Sequence, residues 1–292
     1  MDSLNIIGTE DLVYLKRLYD VDKPFHVVTT VAIGHFIQRF ETKPEWTNIV
    51  KFWTLNDEWK KTGTFVMINS NDGHILFDTL EPNPYENLRK TLNLINYDKP
   101  MVFICFRDIF RPLVLDVIRV QNLEITFDSG TRTAHGTLQD VDINTEIVPP
   151  DGFYLDDLKQ CHVEKINSMW PQRFSDSYKF LSNCVAQNPS TGLFNKDTNE
   201  LVAWQIMLET GAAGHLFIDN KFRRKGFATI VTLAQRIKVK KLRNDTVGFV
   251  AHQNKASQQL VKTVGNQWLS NVSFIGICPK PSRIDVPLWG HL

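Results

Sequence analysis

The sequence predicts a mixed α/β fold, in which a sheet is covered by helices on its faces. Two observations carry this expectation. In the second half the apolar period switches repeatedly between extended and helical spacing, in the order strand, helix, helix, three strands, helix, strand, helix, strand. The chain has 292 residues, 42% apolar and 22% charged, which is the composition of an ordinary folded protein long enough for two domains. The sharpest break, Val148-Pro149-Pro150-Asp151-Gly152, sets two prolines against regular hydrogen bonding and follows them with a glycine. It predicts one domain over residues 1–149 and a second over 150–292.

In the second half, Gly152 to Leu155 reads as a short strand. Asp156-Asp157 then suits a helix start, with Leu158, Cys161, His162, Lys165 and Ile166 at helical spacing. A second helix is expected over Ser175 to Ala186. After Asn188-Pro189 the period becomes extended, and Gly192 to Asn195, a polar turn and Leu201 to Leu208 form a hairpin. Gly214 to Ile218 is a third strand. It leads through a basic loop into a helix whose Phe227, Ile230, Val231, Ala234 and Ile237 make one apolar stripe. Val247 to Ala251, Asn254 to Val264 and Ser273 to Cys278 complete the series as strand, helix and strand.

Some of this pattern recurs in the first half. Phe65 to Asn69, a turn at Ser70-Asn71-Asp72-Gly73 and Ile75 to Phe77 resemble the later hairpin, followed by a helix over Pro84 to Ile95, a strand over Met101 to Phe106 and a helix over Ile109 to Val120. The pattern admits an internal duplication whose copies have diverged beyond sequence similarity.

Several classes are disfavoured. A net charge of +1 supplies no global field to recruit nucleic acid or an anionic membrane. No run approaches the roughly 18–20 apolar residues of a membrane helix. The first residues carry acids where a secretory or mitochondrial presequence carries lysine or arginine, so an intracellular, cytoplasmic location is expected. The four cysteines (Cys105, Cys161, Cys184 and Cys278) are widely spaced, without Cys-x-x-Cys or a neighbouring His-x-His, and predict buried thiols with no metal site.

The informative segment is Leu216-Phe217-Ile218-Asp219-Asn220-Lys221-Phe222-Arg223-Arg224-Lys225-Gly226-Phe227-Ala228, a strand, a loop with four cations in five positions, then small residues at a helix start. A helix amino terminus presents unpaired N–H groups and positive partial charge; small residues let a phosphate approach the backbone, and flanking cations add attraction. This is the physics of a pyrophosphate cradle. The loop lacks both the Gly-Lys-Ser/Thr ending of a nucleotide triphosphatase and the spaced glycines of a dinucleotide fold. Taken alone, such a cation cluster is more often a solvated loop. The preceding strand and the following small residues favour the ligand site here.

Arg223-x-x-Gly226-x-Ala228, after a Leu-Phe-Ile strand, resembles the coenzyme A pyrophosphate loop of the GCN5-related N-acetyltransferase (GNAT) superfamily. Downstream, Val250-Ala251-His252-Gln253-Asn254-Lys255-Ala256-Ser257, ending at Val264-Gly265, is similar to that superfamily's next strand and helix. Glu209-Thr210-Gly211 and Gly265-Asn266-Gln267-Trp268, and more weakly Lys43-Pro44-Glu45-Trp46, resemble segments of glycine N-acyltransferase-like proteins. The superfamily resemblance covers about residues 152–292. It implies a mostly antiparallel twisted sheet flanked by helices in the second half; if the α/β first half is the duplicate that the pattern admits, it is a degenerate GNAT-like copy. In that first half, Glu81-Pro82-Asn83-Pro84-Tyr85-Glu86-Asn87-Leu88 falls at the cradle and carries two acids and no glycine, so it should repel pyrophosphate.

The same resemblance implies acetyl-CoA or another acyl-CoA as co-substrate and a small amine or amino acid as acceptor. It places Leu216, Phe217, Ile218, Arg223, Arg224, Lys225, Gly226, Phe227, Ala228, Asn254 and Ser257 along the coenzyme, with backbone N–H groups near Phe217 and Ile218 facing the thioester. Asn254 is read equally well as a helix cap. The tyrosine many relatives use as acid falls at Val261, and the glutamate base of glycine acyltransferases falls at Ala212. Glu209 and His215 are the substitutes within reach, a lone strand histidine being more often structural. Two functions follow as expectations: an acyl-CoA-dependent N-acyltransferase, or a catalytically impaired protein that binds CoA or acyl-CoA.

Overall fold

The computed structural model describes residues 2–137, 142–171 and 173–280. The first half contains β1 (Leu4–Ile6), α1 (Leu12–Asp20), α2 (Val27–Thr42), β2 (Val50–Leu55), α3 (Trp59–Thr62), β3 (Phe65–Asn69), β4 (His74–Asp78), α4 (Glu86–Asn93), β5 (Met101–Arg107), α5 (Arg111–Val120) and β6 (Leu123–Gly136). The second contains β7 (Phe153–Asp156), α6 (Val163–Ser168), α7 (Ser177–Gln187), β8 (Ser190–Asn195), β9 (Leu201–Met207), β10 (Ala213–Ile218), α8 (Phe227–Lys241), β11 (Thr246–Ala251), α9 (Lys255–Thr263) and β12 (Gln267–Pro279). Among the described residues, no helix is long and apolar enough to cross a membrane.

The chain divides into two compact units, Met1–Thr131 with Ser270–Leu292, and Arg132–Leu269. This division differs from the boundary expected at residues 149 and 150. The prolines stand in an irregular stretch between β6 and β7, whereas the chain changes units inside two long strands, β6 and β12. Ser270 to Pro279 of β12 joins the first unit, antiparallel to β5 with Ile275 opposite Phe103 and Ile277 opposite Met101. At the end of β6, in the second unit, buried His135 sets its Nε2 3.2 Å from Oδ2 of buried Asp245. Local signals mark a break in hydrogen bonding, but not which sheet edge a distant strand will complete.

In the first unit the strands run β1-β2-β3-β4-β5-β12, with β1 to β4 antiparallel and β4 parallel to β5. Its core packs Phe103, Phe106 and Ile275 of the sheet against Leu88 and Leu92 of α4 and Val114 and Val117 of α5. Helices α1 and α2 were absent from the sequence expectation. Eleven of the sixteen residues of α2 are buried, so it lacks the polar face that makes an amphipathic stripe visible. The strand β6 was missed for the opposite reason: after Leu123, Ile125 and Phe127 the same face continues with Ser129, Thr131 and Thr133, so its apolar alternation stops early.

The second unit orders its strands β6-β11-β10-β9-β8-β7. Successive residues on a strand face opposite sides. Accordingly Leu193 packs with Phe227 and Val231 of α8, while Phe194 packs with Leu158, Val163, Ile166 and the α7 residues Phe180 and Leu181. Helices thus cover both faces, which buries all of β9 and all of β8 but Asn195. In contrast, all six residues of β10 are only half-buried.

Candidate functional site

The half-burial of β10 follows from how it pairs. It runs antiparallel to β9 along its length, but parallel to β11 only at Ala213 opposite Gly248. Beyond that pair the parallel strands diverge. Its register with β9 shifts between Gly214 and Phe217, so His215 and Leu216 together stand opposite Gln205 in a β-bulge, with His215 at φ +49°. After the bulge, the Asp219 N–H donates to the Val202 carbonyl at 2.9 Å. Because antiparallel residues alternate between bonding their neighbour and facing away, Phe217 directs its backbone groups to Trp204, and Ile218 directs its own toward the open edge. Of the expected thioester-facing pair, Ile218 therefore has the outward N–H and Phe217 does not. The Phe217 ring stacks on Trp204 at 4.7 Å.

The loop after β10 is fixed by its own backbone. The Asp219 carboxylate accepts from the Lys221 N–H at 3.0 Å, closing a short 3-10 turn, and the Arg223 guanidinium donates Nε–H to the outward Ile218 carbonyl at 3.3 Å. Arg224 at φ +62° and Gly226 at φ +78° both take left-handed conformations that turn the chain into α8. Gly226 is the amino-terminal cap of α8, with no side-chain hydrogen bond to it, and the first helical bond runs from Ile230 N–H to Gly226 carbonyl. The N–H groups of Phe227, Ala228 and Thr229 thus have no acceptor within the helix. A Cβ on Gly226 would meet no protein atom within 4 Å. Lys221, Arg223, Arg224 and Lys225 are exposed around this helix start. The residues present fit a pyrophosphate: open backbone, free helix donors and four cations.

On the other side of the bulge, His215 packs edge-on against Trp170 with ring centroids 4.2 Å apart and lies 6.0 Å from Phe180. Phe174 completes the group, 5.8 Å from Trp170 and 6.3 Å from Phe180. Burial among these rings pushes the His215 pKa down to about 4, opposed by the charge of buried Glu209. The imidazole is therefore neutral near pH 7. A base so weak contributes little driving force for proton removal unless the protonated form gains support from Glu209. The two sequence candidates are electrostatically coupled, but the aromatic cluster that sets their behaviour was missed. Its visible signal was the recurrence of Trp170, Phe174 and Phe180 along a segment that is otherwise polar.

Asn254 caps α9, its Oδ1 accepting the Ser257 N–H at 3.0 Å, so the capping role is present and Ser257 is its partner. Val261 is buried, and Ala212 is buried with its carbonyl accepting from Leu208 N–H at 2.7 Å. Neither supplies a titratable group at the positions where the resemblance puts acid and base.

The first unit holds a counterpart in which the chain's own charged side chains stand at both places, with a small cavity left beside Phe25, Asp78, Cys105 and Arg107. Its parallel strands β4 and β5 pair at His74–Val102 and Ile75–Phe103. Where they end, buried Arg107 donates Nη2–H to Asp78 Oδ1 at 2.7 Å, His26 Nδ1 stands 3.0 Å from Asp78 Oδ2, and Thr29 donates to it at 2.6 Å. Burial alone would raise the Asp78 pKa; His26, Arg107 and Thr29 outweigh it and hold the carboxyl below its usual range. At the start of α4, Glu81 accepts the Asn87 N–H at 3.2 and 3.1 Å and the Asn87 side-chain amide at 3.2 Å. A carboxylate of the chain itself occupies the anion position at this helix start, a stronger obstacle than the repulsion expected from the sequence.

A search of solved structures matches the whole chain. A Drosophila protein of structural-genomics origin aligns with a TM-score of 0.83 at 18% identity, over 96% of this chain and 99% of its own. A tandem GNAT protein from the clavulanic acid biosynthesis pathway aligns with a TM-score of 0.53 at 10% identity, over 94% of this chain and 98% of its own. The fold is that of the GNAT acetyltransferases. At these identities the likeness speaks for fold alone. The family model described as FR47-like protein matches residues 190–275, from β8 into β12, which includes the GNAT-fold loop between β10 and α8. No curated protein matches the chain in sequence.

Proposed function

We propose that the second unit is an acyl-CoA-dependent N-acyltransferase. The observation that carries this reading is the divergence of β10 from β11 directly before a glycine-capped helix start ringed by four cations. One edge offers backbone groups along a strand, and the other offers donors for a pyrophosphate, in the order that an acylated pantetheine and its diphosphate require. Arg223, Arg224, Lys225, Gly226, Phe227 and Ala228 would hold the diphosphate. Leu216, Phe217 and Ile218 would line the pantetheine arm, with the Ile218 N–H available to the thioester oxygen, and Asn254 and Ser257 would stand at the facing helix start.

Acyl transfer here is direct. The amine lone pair forms the N–C bond to the thioester carbonyl, the C–S bond breaks, and the coenzyme leaves as thiolate. The nitrogen loses one proton and the thiolate gains one, giving amide and free thiol. Alignment and a donor for the developing oxyanion supply most of what this needs, because a thiolate departs without much acid assistance. His215 and Glu209 are the groups placed to take the proton. The resemblance to glycine N-acyltransferase-like proteins brings small amines and amino acids forward as acceptors.

One observation favours a second reading, CoA or acyl-CoA binding without turnover: the pKa of His215 near 4, with Val261 and Ala212 at the usual acid and base positions. Incubation with acetyl-CoA and longer acyl-CoAs and a panel of amines, reading free thiol, separates the two. Amine-dependent thiol release supports the enzyme. Tight CoA binding without it supports the binding protein, and no CoA binding refutes both.

A further inference from the structure

The bulge in β10 does more than separate neighbouring strands. It presents His215 to a wall of aromatic rings, with Trp170 at 4.2 Å and Phe180 at 6.0 Å, and Phe174 packed against both. Trp170, Phe174, Leu208 and Phe217 are all partly exposed at the margin of the core formed by α6, α7, β8 and β9. Apolar surface left uncovered beside a bulge, three residues before the outward N–H of Ile218, is suited to an apolar group of a substrate.

Buried Glu209 is the acid whose field reaches His215. The cation nearest in sequence to the rings, Arg173, is exposed and gives an Nη1–H to the Ser168 carbonyl at 2.6 Å; Lys179, on α7, is exposed as well. Aromatic faces and a carboxylate attract an ammonium. The same carboxylate repels a second carboxylate, and an amino acid brings one wherever it brings its amine.

From this arrangement we infer that the acceptor is an apolar monoamine, a primary amine carrying an aromatic or branched alkyl group and no carboxylate, seated against the partly exposed rings of Trp170 and Phe174 with its nitrogen toward His215 and Glu209. This rests on the N-acyltransferase reading and narrows it, setting aside the amino acids that the resemblance brings forward. The apolar group belongs to the amine rather than to the acyl chain because the two groups able to take an ammonium proton stand in the same cluster.

The test pairs 2-phenylethylamine with phenylalanine, which differ only by the carboxylate, and adds isobutylamine and glycine as a second pair. The full chain is assayed for thiol release with acetyl-CoA. Binding of each amine is read separately from the share of the tryptophan fluorescence that the Trp170→Phe variant loses. The expected result is a kcat/KM for 2-phenylethylamine about 100-fold or more above that for phenylalanine, with isobutylamine likewise above glycine. Phe174→Ala should lower the value for 2-phenylethylamine by about 10-fold, and Glu209→Gln should shrink the amine-to-amino-acid ratio. Equal or better use of phenylalanine or glycine overturns the inference while leaving acyl transfer standing. A rate that depends on acyl length but not on the amine's apolar group places the cluster on the acyl side and overturns it too. If no amine releases thiol, acyl transfer fails; selective quenching by 2-phenylethylamine still supports the pocket, and no amine binding removes it.

Discussion

Replacing Gly226 by alanine separates the backbone requirement of the loop from its ligand requirement. Gly226 caps α8 at φ +78° and ψ 0°, in the left-handed region, and an added Cβ would have no protein atom within 4 Å. The only cost to the free protein is therefore conformational, about 1–2 kcal/mol for an L-residue there. At about 2–4 °C per kcal/mol, thermal denaturation without ligand should fall by several degrees. For CoA the change is different in kind, because the methyl group stands beside the N–H groups of Phe227, Ala228 and Thr229. Losing one hydrogen bond to a charged phosphate costs about 1.5–3 kcal/mol, roughly a 10- to 100-fold loss of affinity by calorimetry. Gly226→Asn should recover most of the stability, because asparagine tolerates this conformation, without recovering affinity. Gly226→Glu should lose still more affinity through its charge. Stability falling as described while CoA affinity stays within about twofold would refute the cradle.

Other expectations follow from the same geometry. Calorimetry should give one CoA per chain, because Glu81 fills the anion position at α4; Glu81→Ala should cost about 0.5–2 kcal/mol of helix capping, seen as a lower denaturation midpoint. Asp78→Ala strands Arg107 without its buried partner and should destabilise the first unit by about 3–5 kcal/mol in chemical denaturation. His215 has a folded pKa near 4, below the 6.5 of the free side chain, so the unfolded chain binds its proton first as pH falls. Stability is complete above about pH 6.5 and declines from there toward pH 4; His215→Asn should flatten that stretch of the curve, whereas the contribution of His35, held down to about 3 by burial and Arg39, should persist. An unchanged pH–rate profile in His215→Ala would remove this residue as the base.

Apart from β6, the elements of the second unit and the glycine-capped loop proposed for the coenzyme were legible in the amino-acid order, because both are local. A period of two or 3.6 survives in a single strand or helix, and a glycine among cations before an apolar stripe marks a helix start wherever the chain carries it. Expected and observed strands agree closely there: Leu201 to Leu208 against Leu201–Met207, and Gly214 to Ile218 against Ala213–Ile218. What depends on distant partners was settled only by folding. The return of β12 to the edge of β5 set the division into units, although Pro149 and Pro150 mark the sharper local break. The full burial of α2 hid it by removing its polar face. The chemistry of His215 was likewise a tertiary matter, since a histidine's affinity for a proton is fixed by what surrounds the ring. Here those surroundings are Trp170 and Phe180, contributed by a different stretch of the chain, and Glu209 across the turn.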